Sequence, residues 1–126
     1  MRKLLLFVAF ITSITIYSQK KTLTIPSAKM QEDREVTIVL PASYEKDTNK
    51  RYPLLVLLDG DYLLNPFQGV IDYGVYWDEI PETIIVAIHQ NKKGERYSDT
   101  EVNPANGLPV EKGSKFFEFI AQELMP

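Results

Sequence analysis

The stretch Leu54-Leu55-Val56-Leu57-Leu58-Asp59-Gly60-Asp61-Tyr62 decides the fold. Its five apolar residues run without a break, follow Tyr52-Pro53 and stop at Asp-Gly. A continuous apolar run between turn residues predicts a strand buried on both faces, as in a parallel sheet that is covered by helices. In open α/β sheets, ligands bind outside the carboxyl ends of the strands. The residues from Asp59 to Tyr62 are therefore the first candidates for a functional site.

A second buried strand is predicted downstream, where the run from Thr83 to Ile88 is apolar and rich in β-branched residues. Between the two strands, Asn65-Pro66 predicts the start of a helix, because Asn caps well and Pro suits the first helical position. The apolar positions after this start have helical spacing and are Phe67, Val70, Ile71, Gly74 and Val75. The order strand, helix, strand predicts a βαβ unit with parallel strands.

Two shorter strands are predicted upstream, where Thr22–Ile25 and Glu35–Leu40 alternate between polar and apolar residues. We expect them to pair antiparallel at the edge of the sheet, with a turn over Ser27–Arg34. Near the other end of the chain, Ser114 is expected to cap a helix. The predicted apolar stripe of that helix is Phe116, Phe117, Ile120, Ala121 and Leu124. The fold class is therefore α/β.

Residues 1–18 have the layout of a secretory signal peptide. Arg2-Lys3 is a short basic start, Leu4–Ile16 is an apolar core, and the small Ser18 precedes a plausible cleavage point. A membrane anchor is the alternative, but a spanning helix needs about 20 apolar residues. We expect export to the periplasm or the medium, with residues 19–126 as the mature domain and no stable membrane anchor after cleavage.

Composition excludes several classes of function. The net charge of −3, without a cluster of Lys or Arg, argues against nucleic acid as a partner. The absence of Cys excludes disulfides and thiolate zinc sites, and a single His excludes a multi-histidine metal site. We therefore expect no metal and no cofactor.

The predicted sheet looks unfinished. Only two buried parallel strands are predicted, and an uncovered apolar strand edge invites aggregation. We expect residues 19–126 to be the N-terminal part of a larger domain, and the alternative is a complete small protein.

Several motifs in this order resemble the putative-esterase family of α/β-hydrolases, which includes enterochelin esterase-like enzymes, feruloyl esterase modules and S-formylglutathione hydrolase. The matching residues are Val39-Leu40-Pro41, Tyr44, Tyr52-Pro53, Leu57-Leu58-Asp59-Gly60, Ile85-Val86-Ala87-Ile88, Arg96, Asp99, and the predicted helix Phe116–Leu124 with Met125-Pro126 after it. The resemblance covers nearly all of the chain after residue 18.

The resemblance implies a Ser nucleophile in a Gly-x-Ser-x-Gly elbow, followed along the chain by an acid and a His. No such elbow occurs in the 126 residues, since Gly113-Ser114 continues as Lys115-Phe116. The expected fold is thus a partial α/β-hydrolase sheet that stops before the elbow, and this piece alone is expected to be inactive. His89 precedes any such elbow, so it is interpreted as a hydrogen-bonded structural residue.

The family pattern also implies a role for the residues that follow Asp59. The backbone N–H of Asp61 becomes a donor of the oxyanion hole, Gly60 gives the backbone room to turn, and Tyr62 lines the substrate pocket. An ordinary Asp-Gly turn is the alternative. Arg96 and Asp99 are expected either to pair and hold the long loop or to line the cleft.

The expected protein is an exported serine-type carboxylic-ester hydrolase that acts on a small-molecule ester or an esterified glycan. One alternative is a non-catalytic secreted protein of the same fold that binds a ligand or glycan. Another is a small secreted binding protein, complete as given. The sequence leaves the substrate and the oligomeric state open.

Overall fold

The computed structural model describes residues 19–95 and 97–125, which form one mixed sheet with helices on its two faces. The strands are β1 (Gln19–Ser27), β2 (Glu32–Leu40), β3 (Leu54–Leu57) and β4 (Ile84–Ile88), in the spatial order β1-β2-β4-β3. The helices are α1 (Gly60–Tyr76) and α2 (Glu111–Glu118), and α2 continues as a π-helical segment, Phe119–Leu124.

The predicted pairing of strands is confirmed. Strands β1 and β2 form an antiparallel hairpin, and β3 and β4 run parallel with α1 between them in the chain. Strand β2 joins the two units by pairing antiparallel with β4. The hairpin is longer than predicted, because its ladder continues to Ser27 opposite Glu32. The predicted turn over Ser27–Arg34 was therefore too long.

The core has two layers, one on each face of the sheet. On one face, Val36 of β2 and Ile88 of β4 pack with Phe116 and Phe119. On the other face, Val39, Leu57, Ile85 and Ala87 pack with Leu64 of α1. Burial of both faces explains why β4 consists entirely of apolar residues.

Strand β3 is less buried than predicted. Among its residues only Leu57 is buried, while Leu54 is 47% exposed. The reason is its position, since β4 is its only strand partner among the described residues. The most deeply buried strand is β4, which lies between β2 and β3.

Helix α1 begins six residues earlier than predicted. It starts at Gly60 directly after Asp59, so Asn65 is not its cap and Pro66 lies inside the helix. The predicted stripe is correct at Gly74, which is buried, and wrong at Val70, which is 69% exposed. Gly74 was expected to approach the sheet, but a Cβ there would meet the side chain of Ile80 at 2.8 Å.

Helix α2 begins at Glu111, so Ser114 lies within it and does not cap it. Phe116 is buried as predicted, but Phe117 is 68% exposed and the fully buried residue is Phe119. Phe119 follows Phe116 by three residues and so lies on the same face of the helix, whereas the adjacent Phe117 points away from that face.

The predicted signal peptide, residues 1–18, lies outside the described residues. Within residues 19–95 and 97–125, no helix has both the length and the apolar character needed to cross a bilayer.

Candidate active site

The turn between β3 and α1 is built on an unusual backbone conformation. Asp59 has φ 54° and ψ 43°, a left-handed conformation that Asp tolerates better than most residues. Helix α1 begins at the next residue, and the N–H groups of Tyr62 and Leu63 both donate to the Asp59 carbonyl at 3.0 Å. The left-handed residue is thus Asp59, whereas we had expected Gly60 to give the turn its freedom.

Gly60 is required for a different reason, which is its close approach to β4. A Cβ at this position would lie 3.1 Å from the Ala87 Cβ and 3.2 Å from the carbonyl oxygen of Ile88. Because a carbonyl oxygen within a strand cannot move aside easily, a side chain at residue 60 would push the helix away from the sheet. Gly60 is buried and packs against the strand.

The carboxylate of Asp61 is held by the two residues that follow β4. Its Oδ2 accepts the backbone N–H of Gln90 at 2.7 Å, and its Oδ1 lies 3.0 Å from Nδ1 of His89. Partial burial acts to raise the pKa of Asp61, but the hydrogen bonds from Gln90 and His89 outweigh it, so the pKa lies below its ordinary value. The Asp61 carboxylate is therefore anchored to the end of β4 as a charged group.

The imidazole of His89 is held on both sides. Its Nε2 lies 2.7 Å from Oγ1 of Thr37, which in turn lies 2.8 Å from Oγ1 of Thr22. The interpretation of His89 as a hydrogen-bonded residue is confirmed. The side chain of Gln90 adds a further link, because its Nε2 donates to Oδ1 of Asp59 at 3.1 Å. We call His89, Gln90, Asp59 and Asp61 the carboxyl-end clamp.

A cleft of about 210 Å³ opens at the carboxyl ends of β3 and β4. Its walls include Leu58 and Asp59 after β3, His89 after β4, Asp99 from the long loop and Phe116 from α2. The structure thus places a hollow where ligands bind in open α/β sheets.

The predicted substrate-binding residue Tyr62 does not line this cleft. Its side chain is 64% exposed and borders a neighbouring hollow with Asp61 and Gln90. Asp61 and Tyr62 therefore border the neighbouring hollow, whereas Asp59 borders the cleft. Gln90 lines both.

Asp99 forms a buried ion pair that we did not predict. Its carboxylate lies 2.8 Å and 2.7 Å from the two terminal nitrogens of Arg34, whose side chain is fully buried. Arg34 also stacks over the ring of Phe116, with its Cζ 5.4 Å from the ring centroid. Asp99 therefore holds the long loop against β2 and also lines the cleft. Arg96 lies outside the described residues.

Sequence signals for these contacts existed. The carboxyl ends of neighbouring parallel strands meet at one edge of a sheet, so His89 and Gln90 after β4 could have been placed beside Asp59 and Asp61 after β3. Likewise, strand alternation places Arg34 on the same face as Val36. The polar run over Ser27–Arg34 predicts a turn instead, and this hides the alternation.

Comparison with known proteins gives one family match. Residues 27–126 match a family model described as "Putative esterase". No curated protein matches the sequence.

Several solved structures resemble the chain. An uncharacterised protein from Capnocytophaga ochracea DSM 7271 is 28% identical with a TM-score of 0.74, over 86% of this chain and 28% of that chain. A ferulic acid esterase is 28% identical with a TM-score of 0.60, over 88% of this chain and 41% of that chain. An IroE-like serine hydrolase from Shewanella oneidensis is 24% identical with a TM-score of 0.67, over 86% and 37%, and this likeness shows the fold alone. The chain therefore spans less than half the length of each of these three structures.

Proposed function

The chain belongs to the Putative esterase family, and from this premise we propose that the protein is an exported serine-type carboxylic-ester hydrolase. It works through an acyl-enzyme, and its substrate is a small-molecule ester or an esterified glycan. The 126 residues contribute one of the two donors of the oxyanion hole. The other donor follows the nucleophile in the Gly-x-Ser-x-Gly elbow, which does not occur among these residues.

One observation carries this proposal, namely that α1 begins immediately after β3 at the carboxyl edge of the sheet. Asp59 turns the chain in the left-handed conformation, and Gly60 and Asp61 are the first residues of the helix. The first N–H groups of a helix have no carbonyl partner within it. The N–H of Asp61 is therefore in the part of the helix whose donors are available to an oxyanion.

The helix itself supports negative charge at this position. Helix α1 has seventeen residues, and its aligned peptide dipoles place a partial positive charge at the N-terminal end. A tetrahedral intermediate of acyl transfer carries its negative charge on one oxygen. Removing one hydrogen-bond donor to that oxygen typically costs about 10²–10³ in kcat. The turn after β3 thus supplies a fixed donor together with a favourable field.

Tyr62 is assigned to the substrate side of this site. Its exposed ring borders the hollow that also contains Asp61, and an exposed aromatic ring can pack against the acyl or alcohol portion of an ester.

The proposal is tested on the natural polypeptide that contains this sequence, isolated from its host. We expect a fluorophosphonate probe to label one serine, which peptide mass spectrometry would map outside the serines of residues 19–126. Heat-denatured protein serves as the control, because labelling must depend on the folded site. The labelled protein must also lose its hydrolysis of nitrophenyl and feruloyl esters.

Two outcomes would overturn this function. Export is rejected if the mature protein in the host retains residues 1–18 and stays inside the cell. Catalysis is rejected if the folded protein takes up no probe and turns over no ester. A protein that binds esters without turnover would instead be the non-catalytic binding protein.

A further inference from the structure

We propose that His89 is a positioning residue, which acts through the carboxylate of Asp61 to keep the Asp61 N–H available to the oxyanion. This inference rests on the proposed function, because it concerns the same donor. It assigns a role to a side chain outside the nucleophile, acid and base of the reaction.

The difficulty that His89 resolves lies within Asp61 itself. This residue carries the proposed donor N–H and, on the same Cα, a carboxylate that can accept from it. The Asp61 N–H already contributes, as the smallest of the favourable interactions, to the lowered pKa of its own carboxyl. A carboxylate that turned fully onto this N–H would compete with the oxyanion and would repel its charge.

The carboxyl-end clamp limits how far the carboxylate can turn towards this N–H. Both oxygens are engaged, Oδ2 by the Gln90 N–H at 2.7 Å and Oδ1 by His89 Nδ1 at 3.0 Å. Hydrogen bonds to a charged acceptor are stronger than those between neutral groups. With both oxygens bound to the end of β4, rotation of the carboxylate towards the Asp61 N–H would break at least one of these bonds.

The ring of His89 is itself held in one orientation by contacts at both nitrogens. An ionised carboxylate only accepts, so His89 Nδ1 must carry a hydrogen and donate it to Asp61. In the neutral ring Nε2 then accepts, and the hydroxyl of Thr37 is its donor at 2.7 Å. Thr37 is 1% exposed, so water does not compete for this contact. Thr22 completes the chain at 2.8 Å from the Thr37 hydroxyl.

The first test is kinetic and uses two amide replacements. Asn places its amide nitrogen near the position of Nδ1, whereas Gln places it near Nε2. We expect His89→Asn to retain most of kcat, and His89→Gln to lose about tenfold in kcat with little change in KM, because a catalytic group is misplaced rather than substrate binding lost. Equal losses in the two variants would overturn the proposal.

The second test asks whether His89 acts through Asp61. In the Asp61→Ala background no carboxylate remains to be held, so His89→Gln should cause no further loss of kcat. Groups that act through one another give such non-additive effects, whereas independent groups add. If His89→Gln loses the same factor with and without the Asp61 carboxylate, His89 does not act as proposed.

A spectroscopic test does not depend on ester hydrolysis. In the ¹⁵N-histidine-labelled natural polypeptide, the signals of His89 are those that disappear in His89→Asn. We expect Nδ1 to carry a hydrogen, and a shift towards Nε2 protonation in Asp61→Ala. An active esterase whose His89 is protonated at Nε2 would overturn the positioning role alone. An inactive protein with the Nδ1-protonated ring would overturn the proposed function, and with it the role of His89 in catalysis.

Discussion

The two ends of the β3–β4 pair use a carboxylate in similar ways but for different purposes. At the carboxyl end, Asp61 accepts from Gln90 and contacts His89, both of which follow β4. At the amino end, Glu82 before β4 accepts from the N–H and hydroxyl of Ser43 and from Lys50. One carboxylate holds the start of a helix beside a cleft, and the other closes a loop.

We call the cluster of Glu82, Ser43, Lys50 and Tyr52 the structural lock, because it closes the loop between β2 and β3. Lys50 supplies a full positive charge, stands 5.2 Å from the ring centroid of Tyr52, and pairs with a Glu82 side chain that is 19% exposed. The Tyr52 hydroxyl lies 2.8 Å from the Ser43 hydroxyl. All partners belong to the loop that the lock closes. The bond to Lys50 is the main cause that lowers the pKa of Glu82, and the same bond raises the pKa of Lys50.

The carboxyl end differs in having a close contact between the start of a helix and the backbone of a strand, whereas a left-handed residue occurs near both ends, Asp59 after β3 and Asp78 before β4. The close contact is that of Gly60 with the backbone of Ile88. Left-handed conformations of residues other than Gly cost about 1–3 kcal/mol each and persist where the surroundings impose them. The difference teaches that a bound carboxylate alone does not distinguish a candidate site from a structural contact, and that the helix start beside Asp61 is what sets the carboxyl end apart.

The largest effect is expected from adding one methyl group at the start of α1, and the same change near the end of the helix is the comparison. Gly60→Ala should lower the free energy of unfolding by about 1–3 kcal/mol, because the new Cβ meets the Ile88 carbonyl. Gly74→Ala should cost less, since its neighbour at 2.8 Å is the side chain of Ile80, which is 38% exposed and can move, whereas the Ile88 carbonyl belongs to a strand. Urea unfolding of the natural polypeptide measures both.

Gly69→Ala in the middle of the same helix is the matched control. Nothing lies within 4 Å of a Cβ at this position, so the change should stabilise by about 0.5–1 kcal/mol through helix propensity. If Gly60→Ala proved as stable as Gly69→Ala, the close contact at the carboxyl end would be refuted.

The second largest effect is a difference between Glu82 and Asp61 in what their substitution does to stability and to kcat. Glu82→Gln should cost up to about 1 kcal/mol of unfolding free energy, because it removes the charge that Lys50 and Ser43 bind, and it should leave kcat unchanged. Asp61→Asn should cost less stability, because the Asp61 side chain is 42% exposed. The contrast fails if Asp61→Asn costs as much stability as Glu82→Gln, or if Glu82→Gln lowers kcat.

The smallest effect is the loss of folding stability as the pH falls. Asp61 and Glu82 each have a folded-state pKa below the ordinary value, so both contribute stability that is present above their unfolded pKa and is lost as the pH falls through the folded pKa. We expect each partly exposed group to account for less than about 1 kcal/mol between about pH 7 and about pH 3. Glu82→Gln should therefore show a shallower loss of stability with acid, and an unchanged pH dependence would contradict the lock.

The hairpin and the βαβ unit were predictable from local patterns. Alternation in β2 and the β-branched run of β4 depend on residues close together in the chain, and both strands form where predicted. The start of α1 was not predictable in this way. Asn65-Pro66 is a favourable local start, but the position of Asp59 and Gly60 depends on contact with β4, 27 residues further along the chain.

The candidate site was predictable only in part. The family pattern drew attention to Asp61, yet the partners of its carboxylate lie 28 and 29 residues away in sequence. Arg34 and Asp99 are 65 residues apart, and neither residue type indicates its partner. Contacts of this range follow from which strands are neighbours, so they become predictable once the strand order is known.

The central claim is that the Asp61 backbone N–H binds the oxyanion, and one comparison tests it most directly. Asp61→Ala removes the carboxylate and keeps the N–H, whereas Asp61→Pro removes both. Proline is tolerated in the first turn of a helix, so the fold should survive, and circular dichroism and the thermal midpoint would verify this. We predict that kcat for an activated ester is about 10²–10³ lower in Asp61→Pro than in Asp61→Ala, with similar KM. Equal kcat values in two folded variants would contradict the account.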